Sequence, residues 1–363
     1  MYSKRLVSFG LAALMSLAVA MPAFAQSGEN KDFQTIQDER DQRKLRDLLE
    51  SFIKSYPNSA HRPEFDLQLM TIYYGNKEWA LMVRHADSFV QTQGTADAKS
   101  KSTLFTLAME GARQLGNGNK VTEYADRALT ADPNNMSVLM TMSRGLAENP
   151  PVDPAAKTAA MDKALGYAEK AKKVPKPEKT TDVEWQGIQG RLHGILGMIY
   201  FNQAKWPEAE AELSEYLRTN PNDGINQYRY GAVVYTQLQS TLANLKALTD
   251  DAKLAQAAGR DLDPYIERIN ARNKEFETQR DITIDAMAKA LAIGGPFAAT
   301  ARTIIEPLYK QKNNSLDGLD PFIAAKKAEL AALTPPGPPA VGAARGATTP
   351  ATGATTGGRP AGR

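Results

Sequence analysis

The protein has 363 residues, enough for a sizeable core, and it carries 44 Lys and Arg against 41 Asp and Glu. Five of the basic residues lie in residues 1–25 and 334–363, where there is no acid, so residues 26–333 hold 39 basic and 41 acidic side chains and a basic nucleic-acid-binding face is not expected. Because the chain has no cysteine, disulfides, thiolate metal sites and cysteine nucleophiles are excluded.

The first 25 residues are predicted to be a signal peptide. Lys4 and Arg5 precede an uncharged run from residue 6, and the segment ends in Ala23-Phe24-Ala25, which is the order of a secretory signal. The alternative is a retained membrane anchor, because the uncharged run is about as long as a bilayer is thick. Pro22 and the small-residue ending favour cleavage before Gln26. We therefore expect export to the bacterial periplasm or secretion, with no integral membrane span after cleavage.

The body of the chain is predicted to be helical throughout. Apolar residues recur three and four positions apart, and no sustained alternation indicates a strand. Asp153, Asp263 and Asp320 each precede a proline and are predicted helix caps, while Thr181 and Glu184 have the spacing of a capping box. Predicted breaks between helices fall at residues 56–63, 93–96, 131–135, 149–153, 174–180, 220–224 and 294–296.

One segment, Gly190–Asp223, has a distinct pattern of small, aromatic and apolar residues. Small Gly197 and Ala209 are expected where two helices approach closely, and Pro221 is expected to follow the end of the second helix. The pair Leu196-Gly197 is followed 34 residues later by a similar pair, Tyr230-Gly231. The residues that form the pattern are Leu196, Gly197, Tyr200, Ala209, Leu213, Tyr216, Pro221, Tyr230 and Gly231.

This pattern resembles the tetratricopeptide repeat (TPR), a 34-residue unit of two antiparallel helices. Ser51–Phe65 also resembles a junction found in exported bacterial repeat proteins of this kind. The resemblance implies an all-α fold, in which antiparallel helix pairs stack into a right-handed superhelix (an α-solenoid). It also implies a binding role for the concave groove that the first helices of successive pairs line.

The predicted organisation has three parts after the signal peptide. Residues 26–296 form a TPR-like domain of five or six units, and a long charged helical insertion at about 250–281 projects from the last unit. Residues 297–333 form a helical C-terminal cap, because a solenoid must cover its last apolar face. Residues 334–363 are predicted to be a disordered tail, since 26 of the 30 are Pro, Gly, Ala or Thr.

The groove positions implied by the resemblance form a patch with aromatic and Met side chains and few charges. They predict a protein or peptide partner, although each side chain could instead pack against the neighbouring unit. In some TPR proteins a Lys and Asn set binds a peptide carboxylate, but here Gly194 and Met198 stand at the corresponding places. The predicted groove residues are Arg191, Met198, Phe201, Asn202, Tyr228, Ala232, Tyr235 and Thr236.

The sequence offers little for catalysis, metal binding or cofactor binding. Its three histidines, His61, His85 and His193, have no motif spacing, and His193 is expected to pack between helices. The glycines of Gly116–Lys120 lack the order of a phosphate-binding loop and are predicted to form a turn. We therefore predict no catalytic residue, no metal and no cofactor.

Three functions are consistent with this sequence. The first is an exported, non-catalytic scaffold or adaptor that binds a protein or peptide partner in cell-envelope organisation or assembly. The second is a structural protein tethered to the envelope or cell wall by residues 334–363. The third is an enzyme whose catalytic residues are dispersed along the chain. The sequence leaves the partner, the pathway and the oligomeric state open.

Overall fold

A computed structural model describes residues 28–92 and 96–333. The predicted signal peptide and the predicted tail lie outside these residues. The described residues form fourteen α-helices and no strand, which confirms the all-α prediction. The helices are α1 Gly28–Asp38, α2 Gln42–Ser55, α3 Arg62–Gly75, α4 Trp79–Thr92, α5 Ala98–Gln114, α6 Gly118–Ala131, α7 Met136–Glu148, α8 Pro154–Lys173, α9 Asp182–Asn202, α10 Trp206–Thr219, α11 Gly224–Ala257, α12 Asp263–Ile293, α13 Ala298–Asn313 and α14 Leu319–Leu333.

The chain divides into two compact units. The first comprises the residues up to Gly145 together with Glu169–Val174, and the second comprises Leu146–Ala168 and the residues from Pro175 onward. In the first unit, α1 packs on α2, α3 on α4, and α5 on α6. In the second unit, α9 packs on α10 and α11 on α12. Successive pairs also contact each other within each unit, as expected for stacked repeats.

Several predicted helix starts are confirmed. Thr181 and Glu184 form the predicted capping box at the start of α9, with the Thr181 hydroxyl accepting from the Glu184 amide and the Glu184 carboxylate accepting from the Thr181 amide. Asp153 caps α8 by accepting a 2.8 Å hydrogen bond from the Ala156 amide.

Two predicted caps are wrong. Helix α12 already begins at Asp263, which therefore lies one residue inside the helix, and Leu262 before it makes no side-chain cap. Asp320 lies in the first turn of α14 and forms an ion pair with Arg302 of α13 at 2.9 Å. Both carboxylates lie in a first turn, where the helix dipole favours negative charge.

One turn geometry recurs between the two helices of a pair. The connections after α3, α5 and α9 each have three residues, and the middle residue has a positive φ: Lys77 at 60°, Gly116 at 69° and Ala204 at 56°. The same three backbone hydrogen bonds close each turn, for example Lys205 N to Tyr200 O at 3.0 Å. This confirms that Gly116–Lys120 includes an inter-helix turn rather than a loop after a strand.

The same turn joins the two longest helices. At the end of α11, Gly259 has φ 64°, and the Arg260 amide donates to Ala255 O as the third amide does in the other turns. Gly259 follows Ala204 by 55 residues, which is 21 more than the 34-residue repeat. Residues 250–281, the predicted insertion, span the end of α11, this turn and much of α12. Both helices of the last pair extend outward by about six turns, or about 31 Å, and the extension begins near Leu238.

Spacing explains why this extended hairpin remains paired. Buried residues on α11 recur at intervals of three and four residues, as in a coiled coil. On α12, Phe276 packs against the core cluster that contains Leu238, and the Thr241 hydroxyl lies 3.4 Å from the Glu275 carboxylate. The buried positions on this part of α11 are Leu238, Thr241, Leu245, Leu248 and Ala255.

Helices α13 and α14 follow α12 and pack on it. Ala301, Ile305 and Leu308 of α13 and Leu319 of α14 join the buried cluster around Met287 of α12. Ion pairs link the same helices, including Asp285 to Lys326 at 2.6 Å and Asp281 to Lys312 at 2.8 Å. These two helices cover the apolar face of the last long pair.

Candidate functional site

Glycines on one face of α9 determine how closely it approaches α10. A Cβ atom on Gly197 would lie 2.7 Å from Leu213 Cγ, and one on Gly194 would lie 2.8 Å from the Tyr216 ring. A Cβ on Gly190 would lie 2.9 Å from Thr219 Oγ1. Ordinary contacts begin near 3.4 Å, so only glycine fits at these positions without a shift. The predicted close approach at Gly197 is confirmed.

The other repeat-signature residues lie where the pair meets the next one. Leu196, Ala209 and Leu213 are fully buried, and Ala209 and Leu213 form a cluster with Val233 of α11. Tyr200 and Tyr230 pack against this cluster, and the half-buried Tyr216 donates to Asp223 Oδ2 at 2.7 Å. Half-buried Pro221 follows α10, and Gly231 approaches Met287 of α12. Several of these residues therefore contribute to packing between helices.

The predicted groove residues differ in their exposure. Arg191 is exposed, and six others are half-buried: Phe201, Asn202, Tyr228, Ala232, Tyr235 and Thr236. Met198 is only 4% exposed, so its side chain is buried and is not available to a partner. We therefore omit Met198 and call the remaining seven residues the α9–α11 face.

Contacts within the second unit orient several of these side chains. The Phe201 ring meets the Trp206 ring edge to face, with 5.9 Å between centroids, and Asn202 Nδ2 donates to Ala147 O at 3.0 Å. The Tyr228 ring stacks on Phe297, with centroids 4.6 Å apart and a 4° angle between planes. Sequence reasoning did not identify Trp206 or Phe297 as neighbours of this face, because neither lies on α9 or α11.

Part of this face also contributes to packing. Tyr228, Ala232 and Tyr235 contact the buried cluster around Leu238 and Met287. Thr236 Oγ1 donates to Ala232 O at 2.9 Å, which uses its hydroxyl proton within the helix. The face therefore offers aromatic edges, one exposed guanidinium and few other charges, a composition suited to an apolar or acidic peptide segment.

Each histidine has a structural partner. His193 Nδ1 lies 2.5 Å from Glu212 Oε2, so His193 joins α9 to α10 as predicted. His85 Nε2 lies 2.9 Å from the buried carboxylate of Asp66, and His61 stacks on Phe33 with centroids 4.0 Å apart. Among residues 28–92 and 96–333, no group of three or more His, Asp or Glu side chains is arranged to hold a metal ion.

Within residues 28–92 and 96–333, no helix combines the length and the apolar character needed to cross a bilayer.

The described helices thus define an all-α protein with TPR-like helix pairs, in which glycine, Leu and Tyr contacts join the helices of the best-defined unit. No protein-family model and no curated protein matches the sequence. Among solved structures, a tetratricopeptide repeat protein from Parabacteroides merdae ATCC 43184 is similar, with 11% identity and a TM-score of 0.39 over 77% of this chain and 96% of that one. At this level of similarity, no functional residue is transferred to this chain.

Proposed function

We propose that this protein is an exported, non-catalytic scaffold that binds a protein or peptide partner through the α9–α11 face. The proposed role is in organising or assembling the bacterial cell envelope. TPR-like helix pairs are in general binding architectures, which supports the scaffold role. The proposal of export depends on the predicted signal peptide alone.

One observation carries the proposal. Two helices that occupy equivalent places in successive pairs, α9 and α11, contact each other and present Phe201, Tyr228 and Tyr235 at partial exposure. Aromatic side chains that keep an accessible edge are the usual anchors of protein interfaces. Arg191 at one end of the face adds a donor that can bind a partner's carboxylate.

The test uses the one exposed residue of the face, so that packing is not disturbed. The Arg191→Glu variant and the wild-type chain would be cross-linked to their neighbours in intact cells, and the captured proteins would be identified by mass spectrometry. We expect a small set of partners to be lost in Arg191→Glu, because the new carboxylate opposes an acidic or acceptor-rich segment.

Arg260→Glu is the matched control. Arg260 is exposed at the turn between α11 and α12, and its substitution makes the same change in charge. This control should retain every partner. If Arg191→Glu retained the same partners as Arg260→Glu, the α9–α11 face would be rejected as the binding surface. Capture of cytoplasmic proteins only would argue against export.

A further inference from the structure

A second surface of the second unit forms a cleft that the α9–α11 face does not share. It is an open cleft of about 420 Å³ between the end of α10, the start of α11 and α12. This volume falls in the range of small-molecule and peptide-side-chain sites. The residues that determine its chemistry are Leu217, Thr219, Pro221, Tyr230, Lys289 and Leu333.

The walls combine apolar surface with hydrogen-bond donors. Leu217, Pro221 and the Tyr230 ring supply the apolar part. The cationic donors are the Lys289 ammonium group and the Arg218 guanidinium, which also pairs with Glu215 at 2.7 Å. The one acid in the lining, Asp285, is neutralised by Lys289 at 2.9 Å and Lys326 at 2.6 Å. A ligand rich in apolar rings and carbonyl acceptors, with few N–H donors, would match these walls.

The last described residue lies at this cleft. Leu333 is part of the lining, and its side chain is 58% exposed. The sequence continues as Thr334-Pro335-Pro336-Gly337-Pro338-Pro339, in which four of six residues are proline. Proline has no N–H group, and proline-rich segments favour an extended helix whose carbonyl groups are all free to accept. This segment therefore has the chemistry that the cleft would bind.

We propose that residues 334–339 of the chain itself occupy the cleft between α10, α11 and α12. Proline rings would pack on Tyr230 and Leu217, and the free carbonyl groups would accept from the donors of the walls. The segment begins at the rim of the cleft, so its effective concentration there is of the order of millimolar, and weak contacts suffice to hold it. Because proline residues are already restricted in the unbound chain, docking loses little conformational entropy.

Thiol accessibility in the full chain tests this occupant directly, because the natural sequence has no cysteine to interfere. Ser214 lines the cleft and is exposed, so Ser214→Cys places a thiol at its wall. The rate of modification by a bulky maleimide would be compared between the native tail and a tail in which the four prolines are replaced by serine. We expect the native tail to slow the reaction by about five-fold or more, because docking blocks the thiol.

Ala211→Cys is the matched control on the same helix. Ala211 is exposed but does not line the cleft, so its thiol should react at the same rate with either tail. Equal rates at Ser214→Cys with the two tails would overturn the proposal. Protection by a free peptide of sequence 334–339, without protection by the native tail, would also overturn it, because the cleft would then accept proline-rich segments from elsewhere. Circular dichroism would verify that all variants keep their helical content.

Discussion

The pairs α3–α4 and α9–α10 share one turn geometry but have different interiors. In α9–α10, a row of glycines lets Leu213 and Tyr216 approach the α9 backbone. In α3–α4, the interior contains the fully buried carboxylate of Asp66, which lies 3.4 Å from Arg62 Nε and 2.9 Å from His85 Nε2. Two helix pairs can therefore share the same backbone turn and differ in what lies between their helices. Closely packed apolar side chains occupy one interior, and buried charged side chains occupy the other.

The largest expected change in stability comes from removing the charge of the buried Asp66 carboxylate. Asp66→Asn preserves the shape but leaves the Arg62 guanidinium buried without a counter-charge. Breaking a buried pair in this way costs about 3–5 kcal/mol of the free energy of unfolding. Urea denaturation followed by circular dichroism would measure the cost, with Asp47→Asn at an exposed position of α2 as the control.

A double variant separates charge pairing from packing in this pair. Arg62→Met with Asp66→Leu removes both charges and keeps apolar volume, so it should be more stable than Asp66→Asn alone. If the double variant were the less stable of the two, the unpaired charge would not be the cause. Loss of the 2.8 Å bond from Arg62 Nη1 to Pro57 O limits the recovery.

The second-largest expected change in stability concerns the α9–α10 pair, in which glycines allow close packing. A Cβ atom at Gly197 would lie 2.7 Å from Leu213 Cγ and 3.1 Å from the Leu213 backbone nitrogen, so Gly197→Ala should destabilise the protein by about 1–3 kcal/mol. Gly187→Ala on the same helix is the control, since its Cβ would meet only Arg191 Nη1 at 3.9 Å. That substitution should stabilise α9 by up to about 1 kcal/mol. Thermal unfolding of both variants would show opposite shifts, and shifts of the same sign would contradict the packing argument.

These differences explain what the sequence could and could not predict. The predicted breaks were recognisable because Pro, Gly, Asn and Asp mark them, and Gly190–Gly231 was recognisable because glycine packing leaves a fixed pattern. The turns centred on Lys77 and Ala204 were not among the predicted breaks. The interior of α3–α4 left no such pattern, since a buried Asp66 looks like any surface acid in sequence.

The candidate surface was only partly predictable, for a related reason. Groove positions could be assigned along α9 and α11, but the burial of Met198 depends on side chains from other helices. Phe297 is distant in sequence from Tyr228, and Trp206, although only five residues after Phe201, lies on the next helix. Periodicity within one helix identifies neither contact.

The third effect tests the shared turn itself. Lys77 and Ala204 have positive φ angles, which cost a residue with a Cβ about 1 kcal/mol, whereas Gly116 has the same conformation without this cost. Lys77→Gly and Ala204→Gly should therefore each stabilise the protein by about 1 kcal/mol or less. Gly116→Ala should destabilise it by a similar amount, and since a Cβ there would have open space, the effect isolates the backbone. Chemical denaturation of the three variants would measure these changes in the free energy of unfolding. A loss of stability in both Lys77→Gly and Ala204→Gly would contradict the argument that the positive φ angle is strained in both turns.

The smallest expected effect concerns an ion pair in the first unit that joins α6 to α4 of the preceding helix pair. Lys120 Nζ and the Tyr124 hydroxyl both donate to Asp87 Oδ1 at 2.7 Å. Burial acts to raise the pKa of Asp87, but these hydrogen bonds outweigh it and hold the pKa below its usual value. A carboxyl group with a lowered pKa contributes stability above its unfolded-state pKa, and this contribution is lost as the pH falls through the folded-state pKa.

Lys120→Met should therefore cost about 0.5 kcal/mol at neutral pH, a small value because both side chains are partly exposed. The cost should vanish when the pH is lowered below the pKa of Asp87 in the folded state, since a neutral carboxyl group no longer attracts the ammonium group. Denaturation midpoints measured from pH 7 down to pH 2 would reveal this convergence, with Lys99→Met at an exposed position of α5 as the control. A cost that stayed constant across this range would show that Lys120 contributes through its aliphatic packing, including its position over the Tyr124 ring, rather than through its charge.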